Sequence, residues 1–295
     1  MKYSENDPPL VCMMTQSSCY KGTRKFIPRG VLWHSTGANN PTIKRYVQPS
    51  DSDPNKIQLL NILGVNKNRN DWNHKAVNAG LNFWVGKLAD GTVSTVQTMP
   101  WDFRPWGCGS GKNGSLNDTH IQFEICEDNL KDPVYFNAIY KEACEVTAFL
   151  CKKFGLDPFG IIQYNGLQVP VIIDHVGSYK LGCGSGHSDV QHWFNKYGKD
   201  MNDIRRDVRA IMDETPTPEP APTPEPTPAF TPYKVRITTT VLNVRSGPGI
   251  NYPITTQIKD QGVYTIVEQT EGGGFQWGKL KSGVGWICLR YTKKV

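Results

Sequence analysis

From residue 215 to residue 232 the chain reads TPTPEPAPTPEPTPAFTP, with proline at nearly every second position from Pro216 to Pro228. Proline fixes φ and has no N–H to donate, so this stretch can join neither a helix interior nor a sheet ladder. Two uses remain: an extended, polyproline-like spacer, or a ligand for a proline-binding domain. Different kinds of sequence flank the stretch, which favours the spacer. The expected organisation is a domain over residues 1–213, a linker over 214–232 and a second domain over 233–295. A chain of 295 residues is long enough for that division.

Before the spacer, apolar runs alternate with helical patterns. GVLWH (30–34), HIQFEIC (120–126) and VPVIIDH (169–175) read as strands, and their near-continuous apolarity predicts a sheet covered on both faces. Residues 136–155 read as a helix, with Ile139, Ala143, Val146 and Leu150 on one stripe and Gly155 as its stop. Residues 201–212 repeat the pattern with Ile204, Val208 and Ile211. The expected fold class is α/β, a mixed central sheet flanked by helices. After the spacer, short β-rich pieces broken by SGPG and EGGG predict a small all-β barrel.

Charge separates the two parts further. Residues 1–213 carry 24 basic and 21 acidic side chains, whereas residues 233–295 carry nine basic and three acidic. The second part therefore favours an anionic partner. No clustered basic stripe marks it as a nucleic-acid binder. The opening MKYSENDPPLVCMM has no basic segment followed by an apolar core, and nothing approaches the roughly 20 apolar residues of a membrane span. The expectation is synthesis in the cytoplasm without a signal peptide and without stable membrane association. The eight cysteines are too sparse for a disulfide scaffold, and runs such as FEIC and AFLC predict buried thiols.

Polar chemistry concentrates in three places. His34 closes the first predicted strand and His175 the third, and a histidine at a strand rim can project into a cleft from a rigid backbone. The stretch CGSGHSDVQHW (183–193) adds His187 and Asp189. A His/His/carboxylate set suits a catalytic zinc that keeps one position open, although the spacing is no standard zinc signature and each histidine alone reads as well as a structural one. Glu124 is the third feature. Alternation along HIQFEICED puts Gln122, Glu124 and Cys126 on one face, so an acid lies inside an apolar strand. It is either a buried ion-pair partner or a general base with a raised pKa. Glu127 and Asp128, past the strand end, read as solvated.

GVLWHSTGANNPTIKRYVQPSD, FWVGKLADGTVSTVQTMPWD, THIQFEICED and DHVGSYKLGCGSGHSDVQHWFNKYGKDMNDIRRDV together resemble the zinc-dependent N-acetylmuramoyl-L-alanine amidases of the type-2 family, in particular phage and prophage endolysins. VLNVRSGPGINYPI and GWICLRY resemble bacterial SH3-like domains. The resemblance implies the type-2 amidase fold, one Zn2+ held by His34, His175 and Asp189, Glu124 as the catalytic acid and His187 as the partner of the oxyanion. It also implies peptidoglycan as substrate, cleaved between N-acetylmuramic acid and L-alanine, and release to the wall through a hole made by a holin. Many relatives have a histidine where this chain has Gly107, which bears on substrate contacts.

For the second part the resemblance implies wall binding, with anionic wall polymers as possible partners. Tyr252, Phe275, Trp277, Trp286 and Tyr291 are candidates for stacking on it, although a domain this small needs aromatics as core. Two rival readings stand beside these: a cysteine peptidase using Cys108 or Cys183, and a non-catalytic peptidoglycan-binding protein.

Overall fold

The structure is a computed structural model and describes residues 1–214 and 230–295. The spacer expected over 214–232, like its proline-ligand alternative, falls mainly on residues 215–229, outside the described residues. The chain divides into two compact units, one of Met1–Glu5 with Val11–Thr215 and one of Asn6–Leu10 with Pro216–Val295.

The first unit runs β1 (Leu10–Val11), α1 (Ser18–Gly22), β2 (Gly30–Ser35), α2 (Lys56–Leu63), β3 (Phe83–Lys87), β4 (Val93–Gln97), β5 (His120–Ile125), α3 (Pro133–Phe154), β6 (Ile161–Tyr164), β7 (Leu167–Pro170), β8 (Ile172–Asp174), α4 (His175–Lys180), α5 (Gln191–Phe194) and α6 (Met201–Asp213). Six strands form one sheet in the order β1-β4-β3-β5-β2-β8. β5 and β8 both run parallel to β2, and β3 is parallel to β5 but antiparallel to β4, so the sheet is mixed.

Helix α3 shows how the sequence builds this layer. Asp132 caps its start by accepting from Val134 N and Tyr135 N, Pro133 occupies the first turn where no N–H is needed, and Gly155 ends it at φ +64°. Ile139, Ala143, Val146 and Leu150 are fully buried, in one core with Trp33, Phe83 and Phe123 from the sheet. Each such Ile, Val, Leu or Phe side chain contributes on the order of 1.5–3 kcal/mol by leaving water. α6 adds Ile204 and Val208 to the same core. The opposite face carries a smaller cluster including Leu32, Cys108, Ile173 and Cys183.

One expected strand is corrected. Residues 169–175 do not form a single strand ending in His175: β7 ends at Pro170, β8 covers Ile172–Asp174, and His175 opens α4. The reason is local. Tyr164 pairs with Leu167 across Asn165-Gly166, both at positive φ, so β6 and β7 make their own two-residue hairpin.

The second unit contains β9 (Tyr233–Ile237), β10 (Leu242–Arg245), β11 (Ile254–Ile258), β12 (Val263–Gly272), β13 (Phe275–Leu280), β14 (Trp286–Cys288) and β15 (Thr292–Lys294), in one sheet ordered β11-β10-β14-β13-β12-β9-β15. Its core holds eight buried aliphatic side chains, among them Val235, Val244, Ile266 and Ile287. Trp277, Trp286 and Cys288 make a second cluster.

Candidate active site

Register builds the site. His34 on β2 pairs with Glu124 on β5, and Glu124 pairs with Trp84 on β3, so these side chains form one row on one face of three parallel strands. The next row back, Trp33, Phe123 and Phe83, points into the α3 core, with Phe83 and Phe123 stacked at 4.3 Å between ring centroids. Trp33 also pairs with Asp174 on β8, which brings His175 to the same end of the sheet. Asp174 fixes the turn into α4, accepting from Gly177 N at 2.7 Å and from Gln191 Nε2 at 2.7 Å. Asp189 arrives from the loop between α4 and α5.

Three atoms converge there. His34 Nδ1 lies 3.0 Å from His175 Nδ1 and 3.1 Å from Asp189 Oδ2, and His175 Nδ1 lies 3.3 Å from the same oxygen. The hydrogen bonds of the far nitrogens assign the tautomers. His34 Nε2 is 2.9 Å from Gln122 Oε1, and His175 Nε2 is 3.2 Å from Ser185 Oγ. With each proton on Nε2, both Nδ1 atoms turn a lone pair toward one point. Two lone pairs and a carboxylate oxygen at this separation repel unless a cation stands among them. A tetrahedral Zn2+ with ligand bonds of about 2.0–2.1 Å spaces its ligand atoms about 3.3 Å apart, so the donor set fits that ion. Among the described residues, His34, His175 and Asp189 are the group of histidine, cysteine and acidic side chains able to hold a metal.

The surrounding charges are graded. Burial opposes ionisation of Asp189, but the flanking His175 and His34 prevail and hold its carboxyl far below the usual range. Glu124 goes the other way: burial, reinforced by the Asp189 and Glu127 carboxylates, pushes it well above the usual carboxylate range. Its Oε2 is sealed from solvent without a hydrogen-bond partner. His187 stands at the rim, its side chain 61% exposed, with its ring 4.5 Å from that of His175 and Nδ1 3.9 Å from Asp189 Oδ1. An open cleft of about 870 Å³ lies over this point, with Ser35, Thr36, Glu127, Tyr179, His187 and His192 among its walls.

Two further residues belong to the neighbourhood. Glu127, expected to be solvated, is only 2% exposed because His192 Nε2 approaches its Oε1 to 3.0 Å. No local pattern signals this, since the partner comes from a distant loop. Gln122 touches His34 directly, and strand alternation already placed it on the face of Glu124. The thiols are inert by contrast. The eight cysteines are free and buried, and burial raises the pKa of both Cys108 and Cys183. Cys108 Sγ meets Asn117, Ser115 and Gln122, and Cys183 Sγ meets the backbone carbonyls of Asn113 and Leu181.

In the second unit the proposed wall-stacking aromatics separate. Trp277 is fully buried, with Nε1 donating to Gly272 O at 2.9 Å, and Trp286 is 8% exposed. Both are core residues and are withdrawn as contact candidates, because a ring closed on all sides offers no face to a sugar. Phe275 and Tyr291 are half-buried, and Tyr252 is 39% exposed.

A mixed sheet that gathers two imidazoles and two carboxyls beneath an open cleft is suited to a hydrolase, and the chain carries a small all-β unit beside it. Residues 23–196 match the N-acetylmuramoyl-L-alanine amidase family, and the chain belongs to that family. It is an amidase of peptidoglycan. Residues 240–292 match the bacterial SH3 domain. Among solved structures, the chain is similar to the Staphylococcus aureus hydrolase AmiA in complex with its ligand, at 18% identity and TM-score 0.43 over 69% of this chain and 83% of that one. It is also similar to the PlyG catalytic domain (14%, TM-score 0.41, 71% and 98%) and to a mutant endolysin from Bacillus subtilis (14%, TM-score 0.40, 68% and 97%). No curated protein matches.

Proposed function

We propose that the chain is a zinc-dependent N-acetylmuramoyl-L-alanine amidase of the endolysin kind, with His34, His175 and Asp189 as the zinc ligands. The observation that carries this reading is the convergence of two bare Nδ1 atoms and Asp189 Oδ2 within 3.0–3.3 Å, in register with Glu124, whose Oε2 is buried without a partner. When bound, zinc supplies a Lewis acid and makes water nucleophilic near neutral pH.

The chain's own groups then divide the work. Glu124, one strand from His34, accepts the proton of the attacking water and later delivers it to the departing L-alanine nitrogen. The bond broken joins that nitrogen to the lactyl carbonyl of N-acetylmuramic acid. His187 reaches the cleft from the rim and stabilises the negative charge that develops on the carbonyl oxygen; loss of such a donor costs on the order of 10²–10³ in rate.

The domain boundaries that go with this reading are 1–213 for the amidase, 214–232 for the spacer and 233–295 for a wall-binding SH3-like unit. The second unit's nine basic against three acidic side chains suit peptidoglycan decorated with anionic polymers. No described helix is long and apolar enough to cross a membrane. Passage to the wall is by a holin-type hole, and lysis of the host follows. Digestion of purified peptidoglycan tests the bond assignment: new L-alanine amino termini without new reducing sugars are expected, and new reducing ends or cleavage within the peptide would contradict it.

A further inference from the structure

Both imidazoles are held from behind by a single short loop. Asn117 Oδ1 accepts from Gly107 N at 3.2 Å, from Cys108 N at 3.1 Å and from Cys108 Sγ at 3.2 Å. It also accepts from Gln122 Nε2 at 2.9 Å. An amide that turns its NH2 to Asn117 must turn its oxygen the other way, and that oxygen is the one facing His34 Nε2. The loop's carbonyl acts on the second imidazole. Cys108 O accepts from Ser185 N at 2.8 Å and lies 3.2 Å from Ser185 Oγ. A carbonyl can only accept, so the Ser185 hydroxyl hydrogen goes to it, and Oγ is left to accept from His175 Nε2.

Gly107 makes room for the first of these chains. A Cβ at that position would stand 2.3 Å from Gln122 Oε1 and 3.2 Å from His34 Nε2, in the place the hydrogen bond occupies. The next obstacle is Leu81 Cδ2 at 2.7 Å, the tip of a flexible side chain.

We infer that Gly107, Gln122 and the Cys108 peptide are positioning residues that set the Nε2–H tautomer of both His34 and His175, and that the absent side chain at 107 is a requirement of this device. The inference extends the zinc reading in one respect only: bare Nδ1 atoms held this way should raise metal affinity.

The test uses the full chain. In metal-free protein, long-range ¹H–¹⁵N correlation of the imidazoles should show Nε2–H for both His34 and His175. Gln122→Met keeps the volume and removes the acceptor. It should release the tautomer of His34 but not that of His175, and lower zinc affinity, measured by chelator competition, by about 10–100-fold. Gly107→Ala should lower affinity in the same direction, yet by less than about twofold in a Gln122→Ala background, where no amide remains to displace. An unchanged His34 tautomer in Gln122→Met, or an equal loss from Gly107→Ala with and without Gln122, would overturn the inference. Should Gly107→Ala fail to fold, Gln122→Met decides alone. Failure of the native chain to bind zinc would sink the zinc reading instead, and the metal-free tautomer measurement would still judge this one.

Discussion

Both units bury polar side chains, but among the described residues only the amidase unit gathers two imidazoles and a carboxylate able to hold a metal at one point. In the SH3-like unit, Arg245 is 2% exposed and donates to Tyr252 O at 2.6 Å, and Asn243, 4% exposed, accepts from Gln257 Nε2 at 2.9 Å. Those groups hold loops and neighbouring strands. In the amidase unit two imidazole nitrogens face a carboxylate, and Glu124 Oε2 has no partner. Buried polar groups that pair with one another build structure, whereas acceptors crowded at one point mark a place suited to a cation or to chemistry.

The largest expected effect tests that contrast on the amidase side. Glu124→Ala should lower the rate of wall hydrolysis by about 10²–10⁴-fold while zinc content stays at the native level; a fully active variant would remove the proton-carrier role. On the other side, Trp277→Ala should cost the SH3-like unit about 3–5 kcal/mol of stability. Cleavage of a small soluble muramyl peptide should be unaffected, and differential scanning calorimetry beside an activity assay would show whether the two effects separate.

A pH effect of smaller size sharpens the role of Glu124. Burial raises the Glu124 pKa in the folded chain, whereas the unfolded chain titrates near the ordinary value of about 4.3. Below that value both states are protonated, and Glu124→Gln should leave the stability of metal-free protein unchanged. As pH rises above it, the unfolded state ionises first and the parent loses stability relative to the variant. Thermal melts from pH 4 to 7 that show no growing advantage for Glu124→Gln would contradict the burial argument. The smallest effect belongs to Tyr252→Ala, expected to weaken wall binding by no more than about tenfold, the scale of a single aromatic contact; a pull-down on purified walls measures it.

Much of this was readable before any coordinates. The helix from Phe136 to Gly155 shows because its apolar stripe and its glycine stop are local signals, and the structure only adds the Asp132 cap and Pro133 in front. Alternation in HIQFEIC placed Glu124 on its face because the period of a strand is a local property too. The strand proposed for 169–175 failed at a signal that was present: Asn165-Gly166 announces a hairpin, which cuts the apolar run in two. Glu127 was misjudged because its burial depends on His192, sixty-five positions further on. Gln122 was placed on the right face, but its grip on His34 depends on a gap at Gly107 that only packing displays.

Metal content tests the central claim most directly. Purified native protein and Glu124→Ala should each carry one zinc per chain by elemental analysis, and Asp189→Ala should carry little or none, with loss of hydrolysis to match. An Asp189→Ala protein that holds zinc at the native level, or a native protein that is fully active after its zinc is stripped, would contradict the account.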